Sequence, residues 1–97
     1  MNYNDFRLGG RYKHKYKIND KHYIVLLEAL SNKQELDHDF IEIDIIDDEL
    51  ISIINNLKEN ELIAIIGHIK SEVCTINDNF NYMNKLLVAD KIMTKGN

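Results

Sequence analysis

Few side chains in this 97-residue sequence have the chemistry of nucleophiles or metal ligands. Asp37-His38-Asp39 sets two carboxylates beside an imidazole, but neighbours on an extended chain point alternately and do not converge on one ion. Cys74 is the only cysteine, so it forms neither an internal disulfide nor a cysteine zinc site, and it has no histidine close to it in sequence to activate it as a nucleophile. We interpret His14 and His68 as packed or exposed residues. The sequence predicts a protein that is not an enzyme and holds no metal or cofactor.

A second kind of chemistry, the attraction of phosphates, is concentrated near the amino end. Residues 1–22 carry six basic side chains against two acids, a local net charge of +4. From residue 11 to 18 the basic and uncharged residues alternate, which is typical of a strand with two different faces. The face predicted to meet solvent and phosphates holds Arg11, Lys13, Lys15 and Lys17, with Lys21 in the following turn. The opposite face holds Tyr12, His14, Tyr16 and Ile18, of which Tyr12 and Tyr16 are predicted to meet the core or a subunit interface. The alternative for the basic face is an ordinary solvated surface.

Aromatic side chains supply a third kind of chemistry, stacking on nucleic-acid bases. Phe80 and Tyr82 lie in a polar segment near Lys85, and Tyr23 and Phe40 are their candidate companions. Stacking contributes about 1–3 kcal/mol per base and requires no particular sequence. The alternative is that these aromatic residues fold back and cap the core.

Acidic residues dominate the middle of the chain. Residues 35–61 contain ten acids and one lysine, a local net charge of −9. The asymmetry predicts two oppositely charged surfaces, with a polyanion as partner on the basic side. It also leaves open a second function, an acidic protein-interaction or inhibitor module that binds no nucleic acid.

The elements that must position these residues are mostly strands. Alternating or β-branched patterns predict strands at Phe6–Ile18, His22–Leu30, Phe40–Ile45, Glu61–Lys70 and Asn84–Met93. Ile41, Ile43 and Ile45 should face inward. Helical spacing after an acidic start predicts one helix, Asp48–Leu57, ended by Asn60. Gly9-Gly10 is interpreted as a bulge or bend and Gly67 as a bulge, whereas residues 19–21 form a turn and residues 31–38 and 71–83 form polar loops.

This order of elements, β-β-β-α-β-β, is that of the OB barrel. The predicted fold class is therefore all-β with one short helix, a five-stranded OB-type barrel forming a single domain over residues 1–97. Hydrophobic residues make up 44% of the chain and charged residues 29%, which lies in the globular range. An α+β sandwich with the same elements paired differently is the alternative.

The carboxy-terminal third, ELIAIIGHIK and then KLLVADKI, resembles the single-stranded DNA-binding proteins of bacteria and phages. Gly67-His68-Ile69 and residues 88–92 match the family's fourth and fifth strands, and Leu8-Gly9-Gly10-Arg11 matches its first. The length is similar to that of the small primosomal member. The resemblance implies non-sequence-specific binding of single-stranded DNA in replication or in mobile-element or phage DNA metabolism. His68 stands where the family has arginine, tryptophan is absent, and the acidic tail is missing, which favours an accessory binder over a general replication hub.

The resemblance further implies a homodimer, because the family covers exposed strand edges by self-association. It also suggests a replication or helicase protein as partner. The start of the chain resembles no signal peptide, and the apolar run Leu62–Ile69 is far shorter than the roughly 20 residues of a membrane span. We expect a cytoplasmic protein with no membrane contact.

Overall fold

Five strands and one helix make up the computed structural model, which describes residues 4–29 and 39–95. The elements in chain order are β1 (Asp5–Asn19), β2 (His22–Ala29), β3 (Asp39–Ile45), α1 (Asp48–Ile54), β4 (Leu62–Asn77) and β5 (Phe80–Thr94). The strands close into a barrel in the order β1-β2-β3-β5-β4. The predicted barrel and its order of elements are confirmed. The predicted loop over residues 31–38, with Asp37 and His38, lies outside the described residues.

Strand β1 closes the barrel because it pairs with β4 along its first half and with β2 along its second. Gly10 sits where the two halves meet, opposite both Ala29 and Ile63. A Cβ atom there would lie 2.1 Å from the backbone oxygen of Glu28, so only glycine fits. Of the predicted bulge or bend at Gly9-Gly10, the bulge is absent, since the register between β1 and β4 runs through both residues without a shift. The close approach of two backbones is what requires Gly10.

The bulge of β1 lies three residues further on, at Lys13. Tyr12 pairs with Leu27 and His14 with Leu26, so Lys13 is the extra residue on its strand. An extra residue inverts the alternation of everything that follows it. Lys15 consequently lies opposite the fully buried Val25, on the core-facing side of the sheet.

The inversion corrects the predicted faces of β1. Tyr12 is buried as predicted. Tyr16, predicted like Tyr12 to face the core or a subunit interface, lies on the solvent side and is 47% exposed, which excludes the core. His14 and Ile18, predicted on the same side of the strand, are also exposed, and Ile18 lies at a second register shift next to the turn. The strand therefore has no continuous basic face.

The core is aliphatic and lies inside the barrel. Ile43 and Ile45 of β3 are fully buried, and Phe40, Glu42 and Asp44 alternate with them on the outside, as predicted. The remaining fully buried side chains are Val25, Leu27, Ile54 and Ile65. No helix in the described part of the chain is long and apolar enough to cross a membrane.

Helix α1 adds Leu50, Ile51 and Ile54 to this core. The Asp47 side chain begins the helix by accepting hydrogen bonds from the amides of Glu49 and Leu50. The helix ends at Ile54, three residues before the predicted end at Leu57. The chain then turns sharply at Asn60, whose φ is +71°.

Strands β4 and β5 extend well past the barrel as a two-stranded ribbon, residues 71–85. The polar loop predicted for Ser71–Met83 is wrong, because these residues pair from Ser71–Lys85 out to Asn77–Phe80. Pairing satisfies the backbone groups of the segment, and its β-branched residues suit a strand. The predicted irregularity at Gly67 is confirmed as a register shift, although the extra residue is Asp90 of β5.

Candidate nucleic-acid interface

The outward side chains of β1, β2 and β3 form one surface, which we call the outer face. Paired residues of antiparallel strands share a side, so the register places them together. Tyr16 and Phe40 are its exposed aromatic residues, at 47% and 54%. The other members are Arg11, His14, His22, Ile24, Leu26, Glu28, Glu42 and Asp44.

Some aromatic residues of β1, β2 and β3 lie on this outer face and others pack in the core. The rings of His14 and Tyr16 meet edge to face with centroids 4.7 Å apart. Phe40, a candidate stacking residue, is on the outer face beside Glu28. Tyr23, which was predicted to stack on bases, instead packs against the hydrophobic core. Burial raises the pKa of the Tyr12 phenol.

Two of the predicted phosphate-binding lysines reach toward the segment that contains α1. The Nζ of Lys13 donates to Oδ1 of Asn60 at 2.5 Å, and the Nζ of Lys15 donates to Oδ1 of Asn55 at 2.7 Å. These amide partners carry no charge. The hydrogen bonds fix the position of the two ammonium groups and leave their charge uncompensated.

The remaining basic residues of this region have acidic partners. Lys17 lies 2.8 Å from Asp20, and this exposed pair raises the pKa of Lys17 and lowers that of Asp20 through a hydrogen bond and charge attraction. Lys21 lies 3.1 Å from Asp48 at the start of α1. Arg11 lies 3.9 Å from Glu28.

The basic and acidic segments of the sequence are therefore neighbours in space. Lys21 pairs with Asp48, and His22 contacts Asp44 at 2.6 Å. The prediction of two separate, oppositely charged surfaces does not hold where these segments meet, because part of the charge is compensated inside the chain.

The ribbon presents the clearest aromatic surface. Phe80 and Tyr82 are 53% and 47% exposed and, as alternate residues of β5, lie on one side of it. Neither is among the residues that pack against the core. The pKa of the Tyr82 phenol is raised, first by its hydrogen bond to Cys74. Lys85 is exposed at the base of the ribbon, opposite Ser71.

A groove on the outside of the barrel was not found by sequence reasoning. It crosses the join between β3 and β5, where Asp44 pairs with Val88. Its volume is about 210 Å³. Its lining residues are His22, Asp44, Ile46, His68, Lys70, Leu86 and Val88. The four segments that supply them are far apart in sequence, so no local pattern could have revealed the groove.

Metal binding receives no support from the described residues, which contain no group of three or more histidine, cysteine, aspartate or glutamate side chains placed to hold an ion. Cys74 is partly exposed on β4. His68 is hydrogen-bonded to Asp90 through Nδ1 at 2.9 Å.

Comparison with known proteins finds similarity in structure and none in sequence: no family model matches the chain, and no curated protein matches it. Among solved structures, Rim1, a mitochondrial single-stranded DNA binding protein of S. cerevisiae, superimposes with a TM-score of 0.76 at 9% identity, over 97% of this chain and 96% of Rim1. A Plasmodium falciparum SSB in complex with ssDNA superimposes with a TM-score of 0.66 at 15% identity, over 97% of this chain and 96% of the SSB. The chain thus has the barrel fold of these proteins over its whole described length, which confirms at the level of fold the resemblance noted in the sequence.

Proposed function

We propose that the chain binds single-stranded DNA without sequence preference and catalyses no reaction. The observation that carries this proposal is the pair of exposed aromatic residues, Phe80 and Tyr82, on one side of a ribbon that projects from the barrel. Rings held in this way give successive bases a stacking surface. The fold shared with single-stranded DNA-binding proteins from two organisms supports the same function.

The cations that complement this surface come from two places. Lys13 and Lys15 hydrogen-bond to the neutral amides of Asn60 and Asn55 rather than to carboxylates. Lys70 lies at the base of the ribbon on the side of Tyr82, whereas Lys85, predicted to bind nucleic acid, lies there on the opposite side, with Met83. Phosphate neutralisation by such residues releases counterions, so the affinity must fall as salt rises. Lys17, Lys21 and Arg11, already close to carboxylates, contribute less.

Fluorescence anisotropy with labelled oligo-dT and with duplex DNA, each at two salt concentrations, tests the function. We expect binding to oligo-dT that weakens with salt, and weaker binding to the duplex, whose bases are not available for stacking. Failure to bind oligo-dT at low salt would refute the proposal. It would favour the acidic protein-interaction module in its place.

The stacking surface is tested by the double variant Phe80→Ala/Tyr82→Ala. We expect it to lose roughly 2–4 kcal/mol of oligo-dT affinity, about 30-fold to 1,000-fold, with little change in melting temperature. Val73→Ala/Met83→Ala is the matched control, because these two residues are equally exposed but pair on the other side of the ribbon. Equal losses in both variants would exclude a specific stacking surface.

The contribution of β1 is tested by Lys13→Glu/Lys15→Glu, which we expect to weaken oligo-dT binding at least about tenfold. Lys91→Glu is the control, since Lys91 pairs with Ile66 on a different part of the barrel. An unchanged affinity in the double variant would remove β1 from the interface.

We also propose that the protein acts in DNA replication or mobile-element DNA metabolism in the cytoplasm, as a homodimer with a replication or helicase protein as partner. The outer edges of the ribbon support self-association, because among the described residues β4 and β5 pair there only with each other. Light scattering coupled to gel filtration gives the mass. A monomer at micromolar concentration would contradict the dimer.

A further inference from the structure

The groove across the β3–β5 join has the composition of a small-ligand site. Its floor is formed by Val88, which is buried yet outside the core cluster, with the half-buried Leu86 beside it, and the exposed Ile46 lies at its edge. Its rim is polar. The volume of about 210 Å³ corresponds to about seven waters at roughly 30 Å³ each, enough for one planar ring and too small for a stacked pair.

Two imidazoles stand at this groove, and each is oriented by an aspartate. Nε2 of His22 contacts Oδ1 of Asp44 at 2.6 Å, and Nδ1 of His68 contacts Oδ2 of Asp90 at 2.9 Å. An ionised carboxylate only accepts hydrogen bonds, so the contacting nitrogen of each ring carries the proton. The opposite nitrogen of a neutral ring is then an acceptor. Every nucleobase offers N–H donors on its pairing edge.

The groove also contains one uncompensated cation. Lys70 lies on the same side of β4 as His68, opposite Leu86. It has no hydrogen bond or ion pair with any residue that the structure describes. The carboxylates nearby already face imidazoles, so Lys70 remains available for an anion.

The groove and the aromatic ribbon lie on one continuous surface. Lys70 pairs with Leu86 and Cys74 with Tyr82, and the register between them is unbroken. Leu86 and Tyr82 are separated by an even number of residues, so their side chains lie on the same side of the strand. At ~3.4 Å per residue, about 14 Å separate them. A strand of DNA that stacks on Tyr82 can therefore continue along the same surface to Lys70.

We propose that this groove is a binding site for one nucleotide of the single strand, with the base against Val88 and Leu86 between the two imidazoles and the phosphate beside Lys70. The proposal rests on the proposed function and adds to it a fixed point on the barrel for the DNA. It assigns His22 and His68 to base contact and Lys70 to phosphate contact.

Titration of the protein with thymidine 5′-monophosphate, followed by NMR of the histidine rings, tests the site. We expect the resonances of His22 and His68 to shift and those of His14 to remain in place. Deoxyribose 5-phosphate is the matched probe because it carries the phosphate without a base. Equal shifts with both compounds would overturn the assignment of a base to the groove.

Two variants test the same site with oligo-dT. Lys70→Ala should lower the slope of log affinity against log salt by about 1, whereas Lys91→Ala should leave it unchanged. Leu86→Trp places a larger side chain in the groove and should weaken binding more than tenfold while circular dichroism shows that the barrel stays folded. If neither variant changes the affinity for oligo-dT or its salt dependence, this site is refuted and the proposed function still stands. No binding by the unmodified protein would overturn both.

Discussion

Adjacent glycines in β1 give a sharp test of the barrel, because their surroundings differ completely. A Cβ at Gly10 would meet the oxygen of Glu28 at 2.1 Å, the carbonyl carbon of Glu28 at 2.9 Å and the Cα of Ala29 at 3.1 Å. All three are backbone atoms and cannot rotate away. A Cβ at Gly9 would meet nothing within 4 Å.

Gly10→Ala must therefore separate β1 from β2 at the residue where β1 changes partners. Overpacking in a core costs typically about 1–3 kcal/mol and occasionally more, and a contact with rigid backbone belongs at the upper end. A loss of about 3 kcal/mol corresponds to a fall in melting temperature of roughly 12–24 °C for a domain of this size. Gly9→Ala should be neutral, or stabilising by up to about 1 kcal/mol, because alanine restricts the unfolded chain.

Urea unfolding followed by far-ultraviolet circular dichroism measures both variants under the same conditions. The test is the difference between the free energies of unfolding of the two variants, since both replace glycine by alanine in the same strand. If the two variants unfold within about 0.5 kcal/mol of each other, the predicted clash at Gly10 is absent and the register between Gly10 and Ala29 is wrong.

Three further changes probe separate parts of the molecule. Ile43→Asp would place an unpaired charge in the barrel at a cost of several kcal/mol, so it should prevent folding. Glu42→Lys, on the outer side of β3, is the control and should fold. A soluble Ile43→Asp variant that unfolds cooperatively would contradict the register of β3. Asp47→Ala removes the N-cap of α1 and should cost about 1 kcal/mol in urea unfolding, and an unchanged midpoint would mean that the cap contributes nothing. Cys74→Ala removes the main cause of the raised pKa of Tyr82, so the Tyr82 phenol should ionise at lower pH. An ultraviolet titration measures this ionisation, with Tyr82→Phe as the control that shows the contribution of the other tyrosines. An unshifted titration curve would refute the contact between Cys74 and Tyr82.

Local patterns predicted the parts of the fold whose side chains alternate without interruption. Ile41, Ile43 and Ile45 face inward because β3 has no bulge between its ends. The same reasoning failed on β1, because one extra residue at Lys13 reversed the alternation. Nothing in the residue types marks that position, since a bulge is set by how the strand fits its neighbour rather than by its own sequence.

The candidate site was predicted in part, for a related reason. Phe80 and Tyr82 were identified by residue type, although the segment that carries them is a paired ribbon instead of a loop. The partners of Lys13 and Lys15 are 47 and 40 residues away, and the groove lining is equally dispersed. Sequence reasoning can name such residues but cannot place them together, because only the closure of the barrel brings them into contact.

That closure is weakest at one place. Along the described parts of β3 and β5, the two strands pair only at Asp44 and Val88, whereas β4 and β5 pair along most of their length. Amide hydrogens beside this join should exchange with solvent through local opening well below the free energy of global unfolding. A nucleotide bound across Asp44 and Val88 favours the closed form, by about 2.7 kcal/mol at a hundredfold excess over its dissociation constant. With the proposed site occupied, nucleotide binding and barrel closure would be linked equilibria, and we expect bound DNA to slow exchange at the join more than elsewhere in the barrel.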